Sequence, residues 1–199
     1  YKKSRINDFL TKKKLLNMDI DVNIFCYIYY FYSFILHDVW HLKKFIPNKI
    51  KNVLNIGAGI CLFEIYLNYI NADIRKFFII EKNNLIHNND IIDVLSMANA
   101  TVRSYELEKK FNLFDDVNYK TINDKFDLIL SFRSWGYKYN IDVYLDFVLQ
   151  SINKNTVLII DIRNSYDEQT ILKKFQVTNV ITQYPDHKRY FLTNFINSR

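Results

Sequence analysis

The stretch Asn52–Leu67, NVLNIGAGICLFEIYL, constrains this chain more than any other. The sequence holds only three glycines in 199 residues, and two of them, Gly57 and Gly59, stand here two apart. Average usage would place about 14 glycines in a chain of this length, so each one marks a position where a side chain does harm. Val53, Leu54 and Ile56, before the pair, form the apolar run of a buried strand. Leu62, Ile65, Tyr66 and Tyr69, after it, recur at helical spacing. The local reading is a strand, a tight glycine turn, and a helix whose first N–H groups point back over the turn. Such a turn lets a ligand approach the backbone.

The rest of the chain continues the same alternation. Strands are predicted at 52–56, 77–81, 101–105, 126–131 and 156–161, and helices at 60–70, 85–98, 141–152 and 167–174. The final runs QVTNVITQY and RYFLTNFI read as a hairpin joined through Pro185 and Asp186. The order implies an α/β fold: a doubly wound, mostly parallel, seven-stranded sheet with an antiparallel strand near one edge. Residues 1–49 read as an N-terminal helical extension, a basic arm followed by a long helix over 21–46 that ends near Pro47. Residues 50–199 form the ligand-binding α/β domain.

Composition narrows the setting. At 49% apolar and 17% aromatic, the chain is a folded globule and not a disordered segment. The net charge of +6 is spread in short groups such as Lys12–Lys14, which suits a solvated surface and permits nucleic acid without favouring it. Cys26 and Cys61 form no metal-binding spacing, and a reducing cytoplasm is the expected compartment. Val22–Leu36 is apolar over fifteen residues, short of the roughly 20 that span a bilayer, so it reads as a buried amphipathic helix with no membrane role. His37 and His41 share one helix face, but without a third ligand they read as structural, and no metal site is expected.

Three ligand classes compete for the glycine turn. A dinucleotide site asks for GxGxxG, and Leu62 stands where its third glycine belongs. A P-loop asks for GxxxxGK[ST], and no Lys-Ser or Lys-Thr follows. S-adenosylmethionine lays its amino-acid part over a glycine turn and needs no phosphate cradle. The segment VLNIGAGIC resembles the first motif of class I S-adenosylmethionine-dependent methyltransferases, an acidic residue followed by x-Gly-x-Gly-x-Gly. Gly57 and Gly59 match its first two glycines, Cys61 replaces the third, and Asn55 stands in the acidic position. Glu81 ends the second strand, 24 residues after Gly57, where a carboxylate can accept from both ribose hydroxyls. The resemblance assigns Glu81 to the ribose. It implies a Rossmann-like fold with S-adenosylmethionine held by Asn55, Gly57, Ala58, Gly59, Glu81 and Ser131. Ser104, Tyr105 and the Asp115–Asp116 pair all remain candidates for the adenine contact.

In a parallel sheet, ligands meet the carboxyl ends of the strands. There, after the fourth strand, comes SFRSWGYKY, residues 131–139, with the third glycine and one of two tryptophans. Arg133 suits a carboxylate, phosphate or polyol, and Trp135 and Tyr137 suit a flat wall. The run lacks the Asn/Asp-Pro-Pro-aromatic motif of enzymes that methylate bases or glutamine on nitrogen, and the Pro-Cys nucleophile of cytosine-ring methylation. It loosely resembles bacterial sugar or small-molecule O-methyltransferases. A hydroxyl acceptor needs a base, and His87 and Asp161 are the candidates, while His187 reads as a loop histidine. Tyr30, Phe34, His37, Asp38 and His41 are placed to roof the cofactor. The expected function is methyl transfer to oxygen on a small, sugar-like acceptor. The basic balance keeps an RNA or protein acceptor open as an alternative. Asn55 and Cys61 keep open a module that binds the cofactor without catalysis.

Overall fold

The computed structural model describes residue 42 and residues 44–82, 84–87, 90–182 and 185–195. In chain order these form β1 (Asn52–Ile56), α1 (Leu62–Ile70), β2 (Lys76–Ile80), β3 (Asn84–His87), β4 (Asp90–Asp93), α2 (Val94–Ser104) and β5 (Phe111–Phe114). After them come β6 (Phe126–Ser131), α3 (Leu145–Ser151), β7 (Ile152–Ile162), α4 (Ser165–Leu172), β8 (Phe175–Ile181) and β9 (Lys188–Phe195). Most of the expected 21–46 helix, including Cys26, Tyr30, Phe34, His37, Asp38 and His41, lies outside the described residues.

Seven strands form one sheet in the order β5-β2-β1-β6-β7-β9-β8. All neighbours from β5 to β7 pair in parallel, and β9 runs antiparallel between β7 and β8. This is the doubly wound sheet the sequence implied, with its antiparallel strand one place in from the edge. The central strands β1, β2 and β6 and the second half of β7 are buried on both faces, which is why they read as apolar runs, while the edge strand β8 is largely exposed or half-buried. On one face Val53, Phe77, Ile79, Leu128, Leu130 and Ile159 pack with Phe63, Ile65 and Leu67 of α1 and Ala98 and Val102 of α2. On the other, Leu54, Ile56, Phe78, Ile80, Ile129 and Ile160 pack with Leu145 and Val148 of α3 and Ile171 of α4. Leu42 is buried on the first face, where Phe45 meets Phe191 at 4.0 Å between ring centroids.

The segment 85–105 differs from its sequence reading. The helix expected at 85–98 is an antiparallel hairpin of β3 and β4 followed by α2, and the strand expected at 101–105 is the end of α2. Asp93 starts the helix, accepting from Ser96 N at 2.9 Å and from the Ser96 hydroxyl at 2.6 Å. Thr101 and Ser104 lie within α2, where their hydroxyls meet their hydrogen-bonding need by donating back to the carbonyls of Met97 and Thr101. The third parallel strand is instead β5.

Candidate functional site

The strand order reverses direction at β1, whose neighbours are β2 and β6. The crevice outside the carboxyl ends of these strands is where an open α/β sheet receives a ligand. The glycine turn sits there. Gly57 has φ +83° and donates its N–H to Ile80 O at 2.8 Å, which ties the turn to the end of β2. A Cβ at Gly57 would lie 2.1 Å from Ser134 Oγ, so this glycine answers to the close approach of the loop after β6. Gly59 and Cys61 are also left-handed, at φ +59° and +64°, and Cys61 opens α1. The third-glycine position of the motif thus adopts a conformation that glycine takes most easily, with a small residue in it.

Glu81 faces this turn. Its Oε2 accepts from Gly59 N at 2.7 Å and its Oε1 from Lys82 N at 2.9 Å, while Glu81 N donates to Phe114 O at 3.0 Å. Burial raises its carboxyl pKa, opposed by the Lys82 and Gly59 N–H groups and by Lys138, with Asp116 adding to the rise. Asp116 therefore belongs electrostatically to this edge. Its neighbour Asp115 caps the next turn, accepting from Val117 N at 3.0 Å and Asn118 N at 2.6 Å. Ser104 and Tyr105 stand at the far end of α2.

Beneath the turn lies a buried polar pair. Asn55, at the end of β1, donates through Nδ2 to Glu64 Oε1 in the first turn of α1. Asn55 is 2% and Glu64 0% exposed. Burial pushes the Glu64 carboxyl up to about 7, against the hydrogen bond from Asn55 and with help from the charge of Glu81. The Cys61 thiol is pushed well above its ordinary value, first by burial and then by Glu64 and Glu81. Glu64 carried no signal in the sequence beyond its place beside Phe63 and Ile65.

The loop after β6 is ordered from within. Ser131 is buried: its hydroxyl donates to Ile56 O at 2.9 Å and accepts from Trp135 N at 2.9 Å. Trp135, expected in the acceptor wall, is 0% exposed and donates its indole N–H to Ile141 O at 2.7 Å. It packs in the core beside Ile160, because Gly136 turns the chain inward against Asp161 O. Arg133 has φ +53° and donates its main-chain N–H to Asp161 Oδ2 at 3.1 Å. Tyr137 is partly exposed, with the Arg163 guanidinium 5.3 Å from its ring centroid.

Asp161, expected as a base, is locked instead. It is 0% exposed and pairs with Arg189 through Nε at 2.6 Å and Nη2 at 2.8 Å. The antiparallel register of β7 and β9 sets Asp161 directly opposite Arg189. His187 adds to the clasp, with Nδ1 2.8 Å from Asp186 Oδ1 and Nε2 3.5 Å from Asp161 Oδ2. Tyr137 donates its hydroxyl to Asp186, and that bond, followed by His187, holds the Asp186 carboxyl down to about 2. His87 ends β3 opposite Asp90, in the separate hairpin sheet.

The structure therefore brings Asn55, Gly57, Ala58, Gly59 and Glu81 together at the switch point, and Ser131, Arg133 and Tyr137 beside them. It sends Trp135 to the core and Asp161 into an ion pair. Among the described residues, no group of three or more His, Cys, Asp or Glu could hold a metal ion, and no helix is long and apolar enough to cross a membrane.

No protein-family model and no curated protein matches the sequence. Solved structures do match the fold. A proposed caffeoyl-CoA O-methyltransferase from Staphylococcus aureus aligns with a TM-score of 0.60 at 15% identity, over 81% of this chain and 83% of that one. A proposed RNA methyltransferase from Pyrococcus horikoshii aligns with a TM-score of 0.53 at 15% identity, over 84% and 83%. TrmK of M. capricolum, solved with S-adenosylhomocysteine, aligns with a TM-score of 0.53 at 14% identity, over 78% of this chain and 66% of that one. These likenesses, with the sheet order above, establish that the chain has the fold of class I S-adenosylmethionine-dependent methyltransferases.

Proposed function

We propose that this chain binds S-adenosylmethionine at the switch point and transfers its methyl group to an oxygen of a small, sugar-like acceptor. The observation that carries the reading is Glu81, held across the glycine turn by Gly59 N at the carboxyl end of β2. The residues around the turn suit this cofactor. Glu81 and Asp116 make an acceptor-rich edge above the buried Asn55–Glu64 pair, which fits a ligand bearing hydroxyl donors and a positive charge and fits a phosphate poorly. Glu81 retains lone pairs for ribose hydroxyls beside the backbone bonds it already accepts. Asn55, Gly57, Ala58 and Gly59 would line the amino-acid end, with Ser131 beside them tying the loop after β6 to the end of β1.

The bound cofactor supplies an electrophilic methyl group on a sulfonium. The protein's task is then to hold an oxygen in line with it. Arg133 and Tyr137 stand on the acceptor side of the loop after β6 and are proposed to grip the acceptor. Asp161, held on both oxygens, orients this loop through the Arg133 N–H and is withdrawn as a base. His87 is retained for that step. Residues 1–49 are proposed as a helical extension that lids the site, and the cytoplasm as the compartment.

Exposed Lys138 and Arg163, with partly buried Lys82 and Arg133, give the same edge a basic rim, which favours RNA as a second reading. Incubation with labelled S-adenosylmethionine and either hydroxylated small molecules or RNA separates the two. The expected result is label on a small acceptor. Arg133→Ala should lower kcat/KM for it by about 10- to 150-fold while the cofactor Kd moves less than about twofold. Transfer to RNA that weakens steeply with salt would favour the second reading.

A further inference from the structure

We infer that Glu64, paired with Asn55, is the anionic group that receives the α-ammonium of the cofactor in this chain. The inference rests on the cofactor reading above. Asn55 stands in the acidic position of the first motif but carries no charge. The structure sets a carboxylate against it from another element, nine residues on, in the first turn of α1. Asn55 spends an N–H on Glu64 Oε1, so the two groups share one bond and leave two atoms over. Those atoms, Asn55 Oδ1 and Glu64 Oε2, are buried and find no hydrogen-bond partner among the described residues.

With Glu64 ionised, both leftover atoms are acceptors, and one donor with at least two N–H groups, such as an ammonium with three, satisfies both; in the free protein the proton that Glu64 carries does so instead. A buried ionised carboxylate also needs a positive charge. No cationic side chain appears among the influences on Glu64; the groups that face it are Asn55 from β1, Cys61 from the turn and Glu81 from the end of β2. Only the Asn55 amide and the main-chain N–H of Glu64 itself, both uncharged, favour its ionised form. The pair lies directly under Gly57–Cys61, the turn over which the amino-acid end of the cofactor is laid, and the turn has to open over it to admit the ammonium. The charge that the motif usually carries on the strand is supplied here from the helix.

Proton linkage gives a readout that a purely structural carboxyl would not move. In the free protein Glu64 is about half protonated near pH 7, and pairing with an ammonium keeps it ionised. Binding at pH 7 should therefore release about half a proton, and affinity should rise between pH 6 and 8.

Calorimetric titration in buffers of different ionisation enthalpy, using S-adenosylhomocysteine and 5′-methylthioadenosine, tests the inference on the full chain. The second ligand keeps the nucleoside and lacks the amino-acid end. Glu64→Gln should weaken S-adenosylhomocysteine by about 10- to 100-fold, abolish proton release, and leave 5′-methylthioadenosine within about twofold. The exchange Asn55→Asp with Glu64→Gln puts the charge back on the strand and should recover most of the lost affinity. Equal affinity of wild type and Glu64→Gln for S-adenosylhomocysteine overturns the role of Glu64 and leaves the cofactor reading standing, as does an equal loss for both ligands. Failure of the wild type to bind either ligand overturns both.

Discussion

Glutamine in place of Glu64 should make the protein more stable as the pH rises. The ordinary carboxyl value is 4.5 and burial pushes Glu64 up to about 7 in the folded chain. At 1.36 kcal/mol per pH unit, that difference amounts to about 3 kcal/mol for this fully buried group. The sign follows from which state keeps the proton. Below pH 4.5 both states are protonated and the folded chain has its full stability from this group. Between 4.5 and about 7 the unfolded chain ionises first, so stability falls as pH rises, and above about 7 the whole contribution is lost. Glutamine does not titrate, and its amide can complete a reciprocal pair with Asn55, satisfying the atoms left bare in the wild type. Urea denaturation of both proteins at pH 5, 6, 7 and 8 reads the effect directly. Glu64→Gln should gain on the wild type by about 2–3 kcal/mol across that range. A stability difference that does not change with pH would refute the reasoning, since it would mean that Glu64 titrates alike in both states.

Two further expectations concern the scaffold. Gly57→Ala forces a Cβ into a left-handed position against Ser134 and should cost about 2–4 kcal/mol in denaturant melts. Adding Ser134→Gly should return the steric part, and a double variant no better than the single one would count against the contact. Arg189→Ala removes both guanidinium hydrogen bonds from Asp161 in the core and should cost about 3–5 kcal/mol by the same melts, where a loss below about 1 kcal/mol would show that His187 and the Arg133 N–H hold Asp161 without it.

The parts of this fold legible in the sequence are those where local pattern and tertiary role coincide. Glycine scarcity made the β1–turn–α1 unit plain, because Gly57 and Gly59 occupy positive-φ positions that few other residues fill well. The apolar runs Leu128–Leu130 of β6 and Val157–Ile160 of β7 followed from burial on both faces, and the terminal hairpin from its two strand-like segments. Residues 85–105 were not legible, since Leu85, Ile86, Ile91 and Ile92 fit either period and β5 is only four residues long. Asp93, the cap that starts α2, was the available signal. Within the site, Glu81 was legible from its distance to the glycine turn. The Asp161–Arg189 pair was not, because residues 28 apart meet only through the β7–β9 register. Trp135 drew notice as a rare aromatic in a candidate loop, yet the turn at Gly136 packs it inward. Glu64 was hidden for a related reason: its burial depends on which residue β1 sets opposite it, and that residue is Asn55.

The central claim is that Glu81, facing the glycine turn, holds the ribose of S-adenosylmethionine. Titration of S-adenosylhomocysteine into the wild type and into Glu81→Ala, with circular dichroism confirming that both are folded, tests it most directly. The account predicts binding by the wild type, no competition from NAD, and a loss of about 2–3 kcal/mol in the variant, roughly 30- to 150-fold in Kd. Absence of binding by the wild type at millimolar ligand, or an unchanged Kd in folded Glu81→Ala, would contradict it.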